Sequence, residues 1–329
     1  MTMFGTMAHS AEIVLNNNDA FGQSSFAPNA GTTLAQVKWS DGQFPTAGNN
    51  YDVNGRQLRT PADANSYSFA GDSLTVEANG IINTKGTSNS VVYTFANLIL
   101  SGGRIANGNG VFNGGTQTIA GAITLADGTT SSLSTPAGGS NSNVLSVTAA
   151  ISGTGALYAY GEGGSIGKIV RLSNTNNAYS GGTTVGGGTS TGGDIDLQVT
   201  ADRALGSGNL TIAPSSATTS SNVTFSGGLT NDYIADVATL NFATGPEASP
   251  NKLNLNFTGS DILMAILVDN VALGAGIYGS STNTDVGVTQ VNWISGTGTL
   301  TVAAVPEPSM VMAGAVATGI MMMRRRRQH

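Results

Sequence analysis

"VVYTFANLILSGG", Val91 to Gly103, is a run of β-branched, aromatic and leucine residues that closes on two glycines. Such residues suit a pleated surface, and the glycine pair marks a turn. The same pattern recurs on both sides of it. "SLTVEANG" begins at Ser73, "QTIAGAITLADG" at Gln117, "NVLSVTAAISG" at Asn143, "KIVRLSNTNN" at Lys168 and "DIDLQVTAD" at Asp194. One leucine or isoleucine from each segment (Leu74, Leu98, Ile123, Leu145, Leu172, Leu197) gives spacings of 24, 25, 22, 27 and 25. A loose period in the twenties is the mark of repeated coils. One such coil cannot bury its apolar face alone, whereas stacking coils about 4.8 Å apart builds a continuous inner ladder. The expected fold class is therefore all-β, a β-solenoid over residues 73–304. A β-sandwich competes, because "EANGII" and "IANGNGV" each carry the Asn-Gly pair of a two-residue hairpin.

Composition agrees with strands and turns. The 329 residues include 46 glycines, two histidines, no cysteine and only 32 charged side chains. Gly and Asn are poor in helix interiors. Without cysteine the chain has no disulfide framework, thiolate zinc site or cysteine nucleophile. Four of its 13 basic residues are Arg324 to Arg327, so residues 1–323 carry 9 basic against 19 acidic side chains. An acidic body without clustered Lys or Arg does not suit nucleic acid as a partner.

The two ends differ from the middle. "MTMFGTMAHSAEIVL" lacks a basic start and a long apolar run, yet Ala8 and Ser10 are spaced like a signal-peptidase site. Residues 1–11 are read as the remnant of a signal peptide whose start lies upstream, with a short disordered N-terminus as the competing reading. Residues 12–72 are less repetitive and contain Trp39, Tyr51, Tyr67 and Phe69. They are expected to form an irregular N-terminal cap over the open end of the coils.

"LSNTNNAYSGGTTVGGGT", Leu172 to Thr189, and "ADRALGSGNLTI", Ala201 to Ile212, together resemble the autotransporter-associated β-strand repeat. The matching positions are Asn177, Tyr179, Gly181, Gly182, Thr183 and Val185, then Ala204, Leu205, Gly206 and Gly208. Ala178 stands where that pattern usually has Thr, and "STGGDID" looks like an insertion. The resemblance implies a right-handed parallel β-helix on an exported protein, with no enzymatic activity.

Motifs able to carry chemistry are sparse. "GAGIYG", Gly274 to Gly279, matches a dinucleotide fingerprint, but "SSTNTDVGVTQVNW" after it reads as turn and strand where that fingerprint needs a helix. Asp194 and Asp196 share one face of a strand, near Asp202 and Arg203, and paired carboxylates can bind Ca²⁺ or cleave a glycan. Solvated aspartates that keep an edge soluble are the plainer reading. Asp232 and Asp236 are spaced to share a helical face. His9 and His329 lie at opposite termini and assemble no triad. Trp39, Trp293, Tyr93, Tyr158 and Tyr179 could form a sugar-stacking platform or serve as core. "SDILMAILVDNVAL", Ser260 to Leu273, has an uncharged core too short to span a bilayer and reads as a buried strand or short helix.

The chain closes on "VPEPSMVMAGAVATGIMMMRRRRQH", Val305 to His329. Pro306 and Pro308 keep Val305 to Ser309 extended. Met310 to Met323 are fourteen uncharged residues, about 21 Å as a short hydrophobic helix, against a hydrocarbon core of about 30 Å. Arg324, Arg325, Arg326 and Arg327 would be held on the cytoplasmic side. Pro-Glu-Pro, a short span and an arginine cluster in this order are closely similar to the PEP-CTERM sorting signal; a permanent tail anchor is the competing reading. The resemblance implies export, transient inner-membrane insertion through 310–323, and recognition of Val305, Pro306, Glu307, Pro308 and Ser309 by an exosortase-type membrane enzyme. It also implies a cell-surface or matrix location, often beside exopolysaccharide. The function expected from sequence is an exported, non-enzymatic structural or adhesive protein with no cofactor or metal. A β-helical polysaccharide lyase or glycoside hydrolase is the alternative.

Overall fold

The computed structural model describes residues 12–29, 31–108, 115–135, 143–162, 167–187, 192–213, 220–243 and 252–304. Residues 305–329, where a sorting signal with a hydrophobic helix at 310–323 is expected, and residues 1–11, read as a signal-peptide remnant, lie outside them. Among the described residues the chain is all-β, a parallel β-helix whose coils each pass through three faces. One coil shows the plan. Val91–Ser101 shifts register between Phe95 and Leu98, so its first half lies on the first face and its second half on the second. Arg104–Asn107 then joins the third face.

Alternation of side chains decides what is inside. On the first face the inner row runs Tyr67, Tyr93, Ile119, Val147, Leu172, Val199, Phe225 and Leu255, each paired with the next in parallel register. The row beside it starts at Val92 and from there reads Thr118, Ser146, Arg171, Gln198, Thr224, Asn254 and Ser295, all polar. Residues one apart on a strand point to opposite sides, so this polar row follows from the same register that fills the core. The third face stacks Leu58, Ile82, Ile105, Leu133, Ala159, Val185, Ile212, Phe242 and Val268. Truncating one such inner leucine to Ala is worth about 2–5 kcal/mol.

The expected leucine ladder holds only in its first half. Leu74 pairs with Leu98, and Leu98 with Ile123, on the second face. Leu145 instead lies on the first face opposite Gln117 and Val170, and Leu197 also pairs with Val170. The short step from Ile123 to Leu145 crosses from one face to the next. Hairpin readings of the Asn-Gly pair fail at Asn79-Gly80. Asn79, at φ +67°, turns the chain from Ser73–Glu77 on the second face to Ile81–Thr84 on the third. It is a corner of the coil, so the sandwich is excluded there.

Stacked strands begin before Ser73. Asn50–Asp52 pairs with Ser73–Glu77, and Gln57–Arg59 with Ile81–Thr84. Residues 12–40 cover that end. Phe26 packs edge-on against Tyr93 and Phe95, and Trp39 against Tyr51, while the Trp39 Nε1–H donates to the Ser25 carbonyl oxygen at 2.7 Å. Asp19 fastens the cap to the edge strand. Its carboxylate accepts the N–H groups of Ser25 and Arg59, both at 2.9 Å, and the Ser25 hydroxyl at 2.5 Å.

At the other end Ala265–Val268 folds back onto Val271–Ala272 as an antiparallel hairpin. Asp269 at φ +51° and Asn270 at φ +61° make its two-residue loop. "SDILMAILVDNVAL" is thus two strands broken at Met264, Ser260–Leu263 and Ala265–Val268, not helix; Leu263 and Ile266 are buried, whereas Ile262 and Met264 are exposed. Ser260–Leu263 pairs with Thr299–Val302 in a small four-stranded sheet that includes Gly276–Ser280 and Val288–Val291.

Candidate functional site: the groove on the second face

Among the described residues between 174 and 237 the second face has no regular strand, and coils are joined there by turns and side chains. Asn177 carries much of this joining. Its Oδ1 accepts the Ile151 N–H of the coil before at 2.8 Å, and its Nδ2 donates to the Ala204 carbonyl oxygen of the coil after at 2.7 Å. One side-chain amide thus takes the place of a peptide group in the ladder. Tyr179 is wholly buried and its hydroxyl lies 2.6 Å from the Thr183 hydroxyl. Burial in apolar surroundings, opposed by that hydrogen bond, pushes the Tyr179 phenol far above its usual range. Val185 is inner-row on the third face. Gly182 has φ +84° and Gly206 φ +66°; a Cβ on Gly206 would collide with the Tyr179 carbonyl oxygen, and one on Gly181 with the Gly155–Ala156 backbone. The first six motif positions, Asn177 to Val185, and Gly206 of the second stretch therefore serve coil stacking.

The turns enclose a groove of about 360 Å³ lined by Asn177, Ala178, Arg203, Gly206, Ser207, Asp232, Ala235, Asp236 and Val237. Arg203 is its centre. The Arg203 N–H donates to the Asp232 carbonyl oxygen, and Nε to Asp232 Oδ2 at 2.7 Å. That pair, reinforced by Asp236 and Asp202, makes the guanidinium more basic than usual. Arg203 sits at φ +59°, a left-handed conformation unfavourable to a residue with a Cβ. Asp202 stands behind the groove and holds the loop that carries Asp232. Burial alone would raise its pKa, but N–H donors of Thr230, Leu229 and Asp232 together outweigh it and hold the carboxyl below its usual value.

Other expected sites come apart. Asp232 and Asp236 are brought to one groove, but by a turn and not by a helix. Asp194 and Asp196 face outward together at the strand Ile195–Val199, each occupied by protein groups. Asp194 accepts the Ser220 N–H at 2.6 Å and its hydroxyl at 2.9 Å; Asp196 accepts from Gln198 and Thr224, both at 2.9 Å. Burial raises the Asp196 pKa against those bonds. No cluster of three His, Asp or Glu able to hold a metal exists among the described residues. "GAGIYG" runs into the strand Gly276–Ser280, so no helix N-terminus meets it.

The aromatic platform is not assembled. Trp39, Trp293, Tyr93 and Tyr179 are core residues. Only Tyr158 faces outward, stacked at 5.0 Å on Tyr160, and each ring gives one face to the other. The Tyr160 hydroxyl accepts from Arg104, which is ion-paired with Glu162 at 2.5 Å. Sequence reading missed both this cluster and the Arg203–Asp232 pair. The signal was spacing, since Arg203 and Asp232 are separated by about one coil.

Compared with protein-family models, curated proteins and solved structures, the chain matches none of them significantly. Among the described residues no helix is long and apolar enough to cross a membrane.

Proposed function

We propose that the chain is an exported structural or adhesive protein of the cell surface or extracellular matrix, built as a stiff rod and associated with exopolysaccharide. The observation that carries this reading is the pairing of an unbroken inner ladder with a polar outer row that runs from Thr118 to Ser295. A continuous core makes a rigid body, and an outer row of hydroxyl, amide and guanidinium groups suits hydrated polymer. The tail Val305 to Arg327 supports export and handling by an exosortase-type membrane enzyme, with Met310 to Met323 as a transient span. Mass spectrometry of the protein from its native host tests this. The expected product lies in the surface or matrix fraction and ends near Val305–Ser309; a cytoplasmic protein that keeps Arg324 to Arg327 overturns the reading.

One observation favours the second reading, a β-helical polysaccharide lyase or hydrolase. Asp232 and Asp236 stand beside Arg203 in an open groove, and carboxylates with a cation are the parts such enzymes need. Release of reducing ends or unsaturated sugars from matrix polysaccharide, abolished in Asp232→Asn, would establish it.

A further inference from the structure

We infer that the second-face groove is a binding site for uncharged sugar units of a polysaccharide, recognised through Arg203 and Asp236. The inference rests on the matrix reading above and names the surface that would make the contact. Its lining comes from three successive coils, at Asn177, Arg203 and Asp236, so it runs along the rod axis for two coil steps of about 4.8 Å. At about 360 Å³ it falls at the lower end of small-molecule pockets, which begin near about 300 Å³. That shape takes one or two rings of a longer chain which enters and leaves at the open side.

The polar groups offer a matched donor and acceptor. Asp232 engages Arg203 through Nε, which leaves the terminal guanidinium nitrogens without a hydrogen-bond partner among the described residues. Asp236 is exposed, and its carboxylate likewise accepts no hydrogen bond among them. Adjacent sugar hydroxyls can accept from one and donate to the other. Ala178, Ala235 and the exposed Val237 provide apolar surface for the C–H face of a ring. Two carboxylates against one guanidinium disfavour uronic acids and other anionic sugars. The loop that carries Asp232 is held by three N–H bonds to Asp202, so these groups are fixed before a ligand arrives.

The test is calorimetric titration of the full chain with cellohexaose, mannohexaose and dextran oligomers, beside polygalacturonate and chitosan oligomers. Binding to at least one uncharged probe is expected, weakened tenfold or more in Asp236→Ala, with the melting temperature unchanged because that side chain is exposed. Equal binding by wild type and Asp236→Ala removes the groove as the site and leaves the matrix reading in place. Preference for polygalacturonate or chitosan overturns the ligand class. Binding to no polysaccharide at all overturns both this inference and the adhesive reading beneath it.

Discussion

The Asp261 carboxylate accepts the Ile234 N–H at 3.0 Å with Oδ2 and leaves Oδ1 buried without a partner. Burial, with Asp232 and Asp236 adding to it against the backbone donors, pushes its pKa from 3.8 up to about 8. A buried carboxyl of this kind is held protonated where the unfolded chain has released its proton. Folding stability attributable to it is therefore full below about pH 4, declines as pH rises, and is lost by about pH 8. Urea unfolding should give a lower midpoint, and so a smaller unfolding free energy, at pH 8 than at pH 5. Asp261→Asn should flatten that slope; an unchanged slope in the variant would assign it to other groups. The comparison stops at pH 8 because Lys85, lowered by desolvation from 10.5 to about 8, reverses the trend above it.

Removing the Asn177 side chain strands two backbone groups. In Asn177→Ala the Ile151 N–H and the Ala204 carbonyl both lose their partner, and each unsatisfied buried group costs about 1–3 kcal/mol. A loss of roughly 2–6 kcal/mol in denaturant unfolding is expected from the pair. A change below about 1 kcal/mol would mean that water reaches both groups.

Gly206 and Gly128 separate two effects. Both have left-handed φ, +66° and +67°, but a Cβ on Gly128 meets nothing within 4 Å, whereas one on Gly206 meets the Tyr179 carbonyl oxygen. Gly128→Ala should cost only the backbone conformation, about 1 kcal/mol. Gly206→Ala should cost clearly more, because two coils must move apart. Matching losses in the two variants would refute close stacking at Tyr179.

Asp19 can be tested through aggregation. Asp19→Ala leaves the N–H groups of Ser25 and Arg59 unpaired and loosens the cap from the strand Gln57–Arg59. An uncovered edge strand is a template for pairing with other chains. The variant should scatter light at a lower temperature than wild type, with a lower Tm. A Tm drop without added scattering would show that the edge stays covered.

What the sequence disclosed follows from range. Alternation at Val91 to Leu100 is local, so the strands and the inward residues were readable. The pairing of Leu74, Leu98 and Ile123 was readable because those coils have nearly equal lengths. Later steps lengthen: Ile212 pairs with Phe242 across a wider gap than separates Leu74 from Leu98, and no local signal announces that. Asn79-Gly80 was ambiguous because a left-handed turn serves a hairpin and a coil corner equally. The groove was hidden for the same reason, since Asn177, Arg203 and Asp236 meet only when three coils are in register. Spacing suggested a helix for Asp232 and Asp236, but Asp232 is tied to Arg203 and Asp202 instead.

The two ends of the third face differ in kind. At one, Asp19 and Asn18 occupy the amides of Arg59 and Gln57. At the other, the hairpin at Asp269 and Asn270 lays Val271–Ala272 on the last strand and passes the open edge on to those two exposed residues. An edge two residues long offers a second chain very little to pair with, so brevity blunts this end where side chains blunt the first.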